Sequence, residues 1–152
     1  MRRNAAFTLV EIMIVVSIIA LLVVIALPSF LHARQESQNA KFVNALRVLT
    51  SAFQLYATEH NGSYPAEVKR GVVSPEMETY FGPTVDWTAP TPIGGVWDWD
   101  YNKFGFTAGV SVDKPSASIE QLIEIDGKMD DGDLTTGHFQ HTTGNRYTDI
   151  LE

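Results

Sequence analysis

A single apolar run, F-T-L-V-E-I-M-I-V-V-S-I-I-A-L-L-V-V-I-A-L from Phe7 to Leu27, constrains this chain more than any other feature. As a helix rising ~1.5 Å per residue it is about 31 Å long, which matches the ~30 Å hydrocarbon core of a bilayer. Thr8, Ser17 and Glu11 are its polar interruptions, and Glu11 is its one ionisable group. An ionised carboxylate in such a span costs ~2.5–3.5 kcal/mol near the centre and less toward an end, so Glu11 requires a partner. Upstream, M-R-R-N-A-A carries Arg2 and Arg3. A short basic leader of this kind stays on the cytoplasmic side and directs the chain beyond the helix across the membrane. A secretory signal would be cut after its apolar region, ahead of polar mature sequence. Here Pro28 follows Ala26-Leu27 and the apolar pattern runs on. A plain signal anchor explains Arg2 and Arg3 and leaves Glu11 without a reason.

The run A-F-T-L-V-E, Ala6 to Glu11, resembles the cleavage and methylation motif of type IV pilins and the pseudopilins of type II secretion, most closely a major pseudopilin. The resemblance implies that a prepilin peptidase cuts on the cytoplasmic side between Ala6 and Phe7 and methylates the new amine. The family usually has glycine where this chain has Ala6. It further implies that Glu11 pairs with the N-terminal amine of a neighbouring subunit during assembly. The physics is consistent, because a carboxylate and an amine buried together offset each other's desolvation. Pro28 matches a proline that commonly interrupts the family's long helix.

The remainder of the 152 residues leaves about 125 for one modest domain, with no room for two. A net charge of −7 with no basic run after the leader argues against a nucleic-acid binder. There is no cysteine, so no disulfide closes a C-terminal loop, as one does in many type IV pilins. That absence tilts the choice toward pseudopilins or cysteine-free pilins.

Beyond Pro28, Phe42, Ala45, Leu46, Leu49, Ala52, Phe53 and Tyr56 recur at spacings of three and four, with Lys41, Asn44, Arg47, Ser51 and Gln54 opposite. This predicts an amphipathic helix packed on a sheet. Pro28 removes a backbone donor to the carbonyl of Val24, so a kink or local melting is expected there. The helix should stop near Asn61-Gly62, ahead of Pro65. From Val68 to Pro92 the chain reads as a proline-rich loop with a short helical turn at Pro75 to Tyr80. Val96, Trp97, Trp99 and Tyr101 alternate with Asp98 and Asp100, which predicts a strand whose aromatic face lies on the helix and whose carboxylates face water. A turn at Asn102-Lys103 and a returning strand from Phe104 to Val112 complete a hairpin. Ser116 to Asp126 fits a helix capped by Ser116 or Ser118, or a short strand, with helix preferred. Arg146 to Glu152 has the content of an edge strand.

Asp126, Asp130, Asp131 and Asp133 crowd around Gly127 and Gly132 in D-G-K-M-D-D-G-D. Hard cations such as calcium want several oxygens at once, although the spacing fails the EF-hand pattern and a solvated acidic turn also explains it. Major pseudopilins carry a calcium site in a comparable loop. His32, His60, His138 and His141 show no metal-ligand spacing, and His138 and His141 beside the acidic loop are a weak hint of transition-metal binding. No residue set forms a catalytic constellation, cofactor-binding motif or phosphate cradle, and Asp98 with Asp100 gives no reason for a raised pKa on an exposed strand face. An enzyme is not expected.

The expected fold class is α+β and pilin-like: a leader at 1–6, a transmembrane half-helix at 7–27, an amphipathic half at 28–61, and a head at 62–152 with a hairpin at 95–112. The resemblance implies a structural subunit of a pseudopilus or pilus-like filament, placed in the bacterial inner membrane with its head in the periplasm. Its partners would be further copies of itself, the prepilin peptidase, an inner-membrane assembly platform, a cytoplasmic ATPase and a secretin. Type II secretion is the preferred setting. The alternatives are a type IV pilin for adhesion, motility or DNA uptake, and a monomeric membrane-tethered binding module using Trp97 and Trp99 as a stacking platform.

Overall fold

In the computed structural model, residues 7–83 and 85–152 are described. The chain divides into a unit ending at Glu36 and a second covering Ser37–Glu152. Helix α1, Leu9–Glu59, supplies residues to both.

In the first unit, helix is favoured by an unbroken supply of side chains that leave the backbone bonded to itself. The polar exception Ser17 returns its hydroxyl to the Met13 carbonyl at 2.7 Å, so it presents no free donor. Apolar residues point outward all round, from Leu9 through Leu31. Among the described residues, α1 is the one helix long and apolar enough to cross a membrane, and its most apolar 18-residue window has no buried residue. A helix that is greasy on every side has no single face to bury, which fits a lipid or helix-bundle environment and no other. Pro28 lies inside α1, and the helix continues through it without interruption. The local melting expected there does not occur. An interior proline costs about 3 kcal/mol, and the helical residues on both sides of Pro28 carry α1 across it.

The second unit begins with the amphipathic part of α1, which ends where the sequence requires. Asn61 and Gly62 both have positive φ, at 54° and 82°, and the Gly62 N–H closes on the Ala57 carbonyl at 2.7 Å. A 3₁₀ turn at Pro75–Met77 occupies the following loop. Four strands then form an antiparallel sheet in the order β1-β2-β4-β3: β1 Val96–Lys103, β2 Phe106–Asp113, β3 Phe139–Thr143 and β4 Arg146–Ile150. Helix α2, Ile119–Met129, intervenes between β2 and β3 and is capped by the Ser118 hydroxyl, which accepts from the Gln121 N–H. The preferred helix for this stretch is therefore present and runs past the expected end at Asp126, taking in Gly127, Lys128 and Met129.

The core lies between α1 and one face of the sheet. Phe42, Leu46, Leu49 and Phe53 are at most 1% exposed, as are Trp97, Trp99, Val110 and Val112 across from them. Phe53 stacks on Trp99 with centroids 3.9 Å apart and planes 4° from parallel, and Phe42 stacks on Trp97 at 5.3 Å and 9°. Burial of these two indoles removes the stacking-platform alternative, since neither ring is available to a ligand. The Trp99 Nε1–H donates to the Pro65 carbonyl at 3.0 Å, so the buried donor is satisfied. The same segment covers the free edge of β1, where the Gly71 N–H donates to the Trp97 carbonyl at 2.9 Å and Glu67 accepts from the Tyr101 N–H at 2.8 Å.

Three expectations change. The hairpin turns at Phe104-Gly105, two residues later than Asn102-Lys103, with φ of 53° and 95°. Both central residues of a type I′ turn need positive φ, and Gly105 provides one of them freely. Arg146–Ile150 is an interior strand, because β3 pairs outside it. Strand β3 escapes a hydrophobic pattern search: in F-Q-H-T-T only Phe139 is apolar and buried. Finally, Asp98 and Asp100 are 4% and 0% exposed and do not face water. Their β2 partners Ser111 and Gly109 are small and leave a trough on the outer face of the sheet, into which Arg146 of β4 lies.

Trp99→Ala should cost about 3–5 kcal/mol, since it deletes both a buried ring and the stack on Phe53. Urea unfolding of the full chain in detergent measures this, and Trp99→Phe should recover most of it.

Candidate functional site

The start of α1 carries a built feature. Thr8 precedes the first helical residue, and Glu11 lies three positions on. The Thr8 N–H and hydroxyl each donate to Glu11 Oε2 at 2.8 Å, while the Glu11 N–H donates to Thr8 Oγ1 at 3.2 Å. This is a capping box, in which the N-cap hydroxyl and the carboxylate three residues later satisfy one another's orphan donors. The carboxylate also sits at the positive end of the helix dipole. The T-x-x-E pattern was present in the sequence, and it gives Glu11 a partner within its own chain. Both Thr8 donors converge on Oε2, so no donor reaches Oε1 among the described residues. Phe7 is 81% exposed. Ala6, the expected residue before the cut, lies outside the described residues. Pro28 is 17 residues from Glu11 along the same helix, about 25 Å at ~1.5 Å per residue, so the two do not form one site.

A second cluster lies at the C-terminal end of α2. One carboxylate oxygen from each of Asp126, Asp130 and Asp131 falls within 4.8 Å of the others. Asp126 is fully buried in the last turns of the helix, and neither of its oxygens has a hydrogen-bond partner among the described residues. Burial, with the Asp131 and Asp130 charges added to it, pushes its carboxyl up to about 6. Asp130 closes the helix through its N–H to the Asp126 carbonyl at 2.6 Å, and its carboxylate accepts from the His138 N–H. A Cβ on Gly137 would strike that carboxylate, which fixes glycine at a position with φ of 76°. Asp131 is held by the Asp133 N–H and the Thr136 hydroxyl at 2.9 and 2.7 Å. Asp133 does not join the cluster, because its Oδ1 is turned to the N–H and hydroxyl of Thr135 at 3.0 and 2.7 Å. His138 and His141 are likewise engaged elsewhere, their ring nitrogens 3.2 and 2.8 Å from the carbonyls of Ile150 and Gly144. Three carboxylates at the negative end of a helix dipole repel each other and the helix. The all-oxygen donor set with an orphaned buried carboxylate suits a hard cation such as calcium.

The third arrangement is the trough of Asp98, Asp100 and Arg146, which the sequence did not reveal because the arginine is 46 residues or more from either acid along the chain. Arg146 Nη1 lies 2.7 Å from Asp98 Oδ2 and 2.8 and 2.7 Å from the two oxygens of Asp100. Arg146 Nη2 is 3.7 Å from Asp113, which also pairs with Arg70. The Ser111 hydroxyl donates to Asp100 and lies 2.7 Å from Thr148 Oγ1. Phe104 covers the guanidinium, with Cζ 5.5 Å from the ring centroid. Burial pushes Asp98 up to about 6 against the pull of Arg146, with Asp100 and Glu67 adding to the rise. Nothing in this trough is open to a substrate, and its role is to neutralise the outer face of the sheet.

Comparison with known proteins agrees with this geometry. The "Prokaryotic N-terminal methylation motif" matches residues 1–27. The chain is 28% identical to the type IV major pilin protein PilA of Myxococcus xanthus, over 80% of this chain and 60% of that protein. It is 30% identical to the type IV wide pilus major component PilA4 of Thermus thermophilus, over 64% of this chain and 88% of that protein. It is 28% identical to type II secretion system core protein G of Aeromonas hydrophila, over 52% of this chain and 59% of that protein. It therefore spans about 60% of the length of the Myxococcus and Aeromonas relatives. No solved structure matches at a significant level. The chain belongs to the family of type IV pilins and type II secretion pseudopilins that share the N-terminal methylation motif.

Because Asp98 and Asp126 have raised folded-state values, the native state holds protons that the unfolded chain releases between about pH 4 and about pH 6, and stability falls as pH rises through that window. Asp98→Asn should flatten part of this slope, as read from melting temperatures across the window. Arg146→Met should instead destabilise by about 3–5 kcal/mol at neutral pH, since it strands two buried carboxylates.

Proposed function

We propose that this chain is a structural subunit of an extracytoplasmic filament, anchored by the first part of α1 and assembled through it. The observation that carries this is the A-F-T-L-V-E motif at the head of a continuous helix that exposes apolar side chains on every side. A prepilin peptidase cuts between Ala6 and Phe7 and methylates the Phe7 amine. The apolar helices then leave the bilayer and pack together, and the free Oε1 of Glu11 accepts the amine of a neighbouring subunit. An inner-membrane platform and a cytoplasmic ATPase drive assembly, a secretin provides the exit, and the head lies in the periplasm. Everything the chain does here is binding and packing, with no reaction of its own.

Similarity to protein G and the acidic cluster favour a type II secretion pseudopilus. The stronger likeness to two major pilus components supports the second reading, a type IV pilus. The two separate on deletion of the gene in its host: loss of protein export with surface fibres intact marks the first, and loss of long fibres marks the second. Within either reading, Asp126, Asp130 and Asp131 hold calcium, which supplies the positive charge that the end of α2 lacks.

Mass spectrometry of the mature protein should show a methylated Phe7 start, and an intact Met1 would overturn the processing. Glu11→Gln leaves a neighbour's amine uncompensated at a cost of about 3–5 kcal/mol per contact, so filaments should be lost while the protein still accumulates in the membrane. Calcium at 100 times its dissociation constant should stabilise the full chain by about 2.7 kcal/mol. Asp126→Asn should abolish the calcium-dependent rise in melting temperature, and a wild-type melting curve indifferent to calcium would remove the metal.

A further inference from the structure

Helix α1 has two flanks in the second unit, and they differ. On one, Asn39 bonds to Gln121 and Glu124 of α2 at 2.7 and 3.2 Å, and Arg47 reaches the Lys128 carbonyl at 3.3 Å. On the opposite flank, Lys41 and Ala45 form one wall of a cavity of about 380 Å³, with Ala89, Pro90 and Pro92 as the other and Trp97 at its floor. The α2 side carries an exposed apolar pair: Ile119 and Ile123, one turn apart, are 61% and 42% exposed. At ~100° per residue Ile123 lies about 200° round α2 from Gln121, so this stripe points away from α1. Its neighbour Glu120 is exposed and has no cationic partner among the described residues. Lys41, at the rim of the cavity, is exposed and forms no ion pair among them either. Asp86 shares that rim and remains ionised, but the Thr88 N–H and hydroxyl fix its carboxylate at 2.9 and 2.7 Å and it makes no ion pair with Lys41.

We propose that the Ile119–Ile123 stripe of one subunit seats in the Lys41–Pro90 cavity of the next copy of this chain, with Glu120 against Lys41. Knob and groove lie on different flanks, so the contact is head-to-tail, and a head-to-tail contact that does not close into a ring repeats as a helix. The apolar stripe supplies burial and the charge pair supplies register. The inference rests on the filament reading and adds the surface by which heads recognise each other.

The chain has no cysteine, so a pair can be introduced without background. In membranes of cells assembling the full-length chain, Ile123→Cys with Ala89→Cys should oxidise to a ladder of dimers, trimers and higher species, and neither single variant should give one. Lys41→Glu in that background should reduce the ladder at least tenfold, and adding Glu120→Lys should restore it. Melting temperatures of all five variants establish that each is folded. Dimers from Ile123→Cys alone would overturn the proposal in favour of a symmetric contact. Filaments without a ladder would overturn it outright, and absence of filaments from the wild-type chain would overturn the filament reading instead.

Discussion

The head is organised by one contact: two phenylalanines of α1 laid flat on two tryptophans of β1. Phe42 and Phe53 sit eleven residues apart on a helix, so both face the same side, and Trp97 and Trp99 sit two apart on a strand, so they do too. Parallel rings at these separations fix both the face and the register of β1 against the helix, because a slip of one residue would turn both indoles outward. Phe139 and Phe81 then close edge-on around the same rings, at 6.1 Å from Phe42 and 5.7 Å from Phe53. The loop and β3 are thereby tied to the same aromatic layer.

That choice of face dictates the trough on the other side. With the indoles inward, Asp98 and Asp100 must share the outer face, and the neighbouring strand offers only Gly109 and Ser111 there. A glycine is required at 109, where a Cβ would meet the Thr148 methyl and the Phe106 ring. Small residues bring the carboxylates under cover, and burial without a counter-charge is costly. Arg146 answers both acids from β4 through Nη1, while its Nη2 is turned toward Asp113. The order β1-β2-β4 is thus stitched on one face by aromatic packing and on the other by a guanidinium spanning three strands.

How much the chain reveals depends on the range of each signal. The apolar run, the stripe from Phe42 to Tyr56 and the alternation Trp97-Trp99-Tyr101 are local periodicities, and the structure has the helix, the strand and the helix–sheet interface they indicate. The helix exit at Asn61-Gly62 rests on backbone freedom at two residues and is likewise local. Strand β3 carries one apolar residue in five, so no period exists to find, although the Gly144-Asn145 pair ahead of Arg146 was a usable hairpin signal. The fate of Asp98 and Asp100 depended on Arg146, which only the sheet order brings near. The T-x-x-E box at Thr8 and Glu11 was legible throughout.

The box changes how that charge works. An acid waiting unpartnered for a second subunit would cost the monomer its full desolvation in the membrane. Glu11 is instead held by two donors from Thr8 on a single oxygen, at the end of the helix where the dipole favours negative charge. The box lowers the cost of a carboxylate in an apolar helix and leaves Oε1 without a donor among the described residues. In the proposed filament a neighbour's amine would add to this arrangement without dismantling it, so assembly would gain the ion pair and give up no cap. Threonine at position 8 and glutamate at position 11 act as one unit. The acid supplies the charge, and the threonine N–H and hydroxyl hold that charge at the start of the helix.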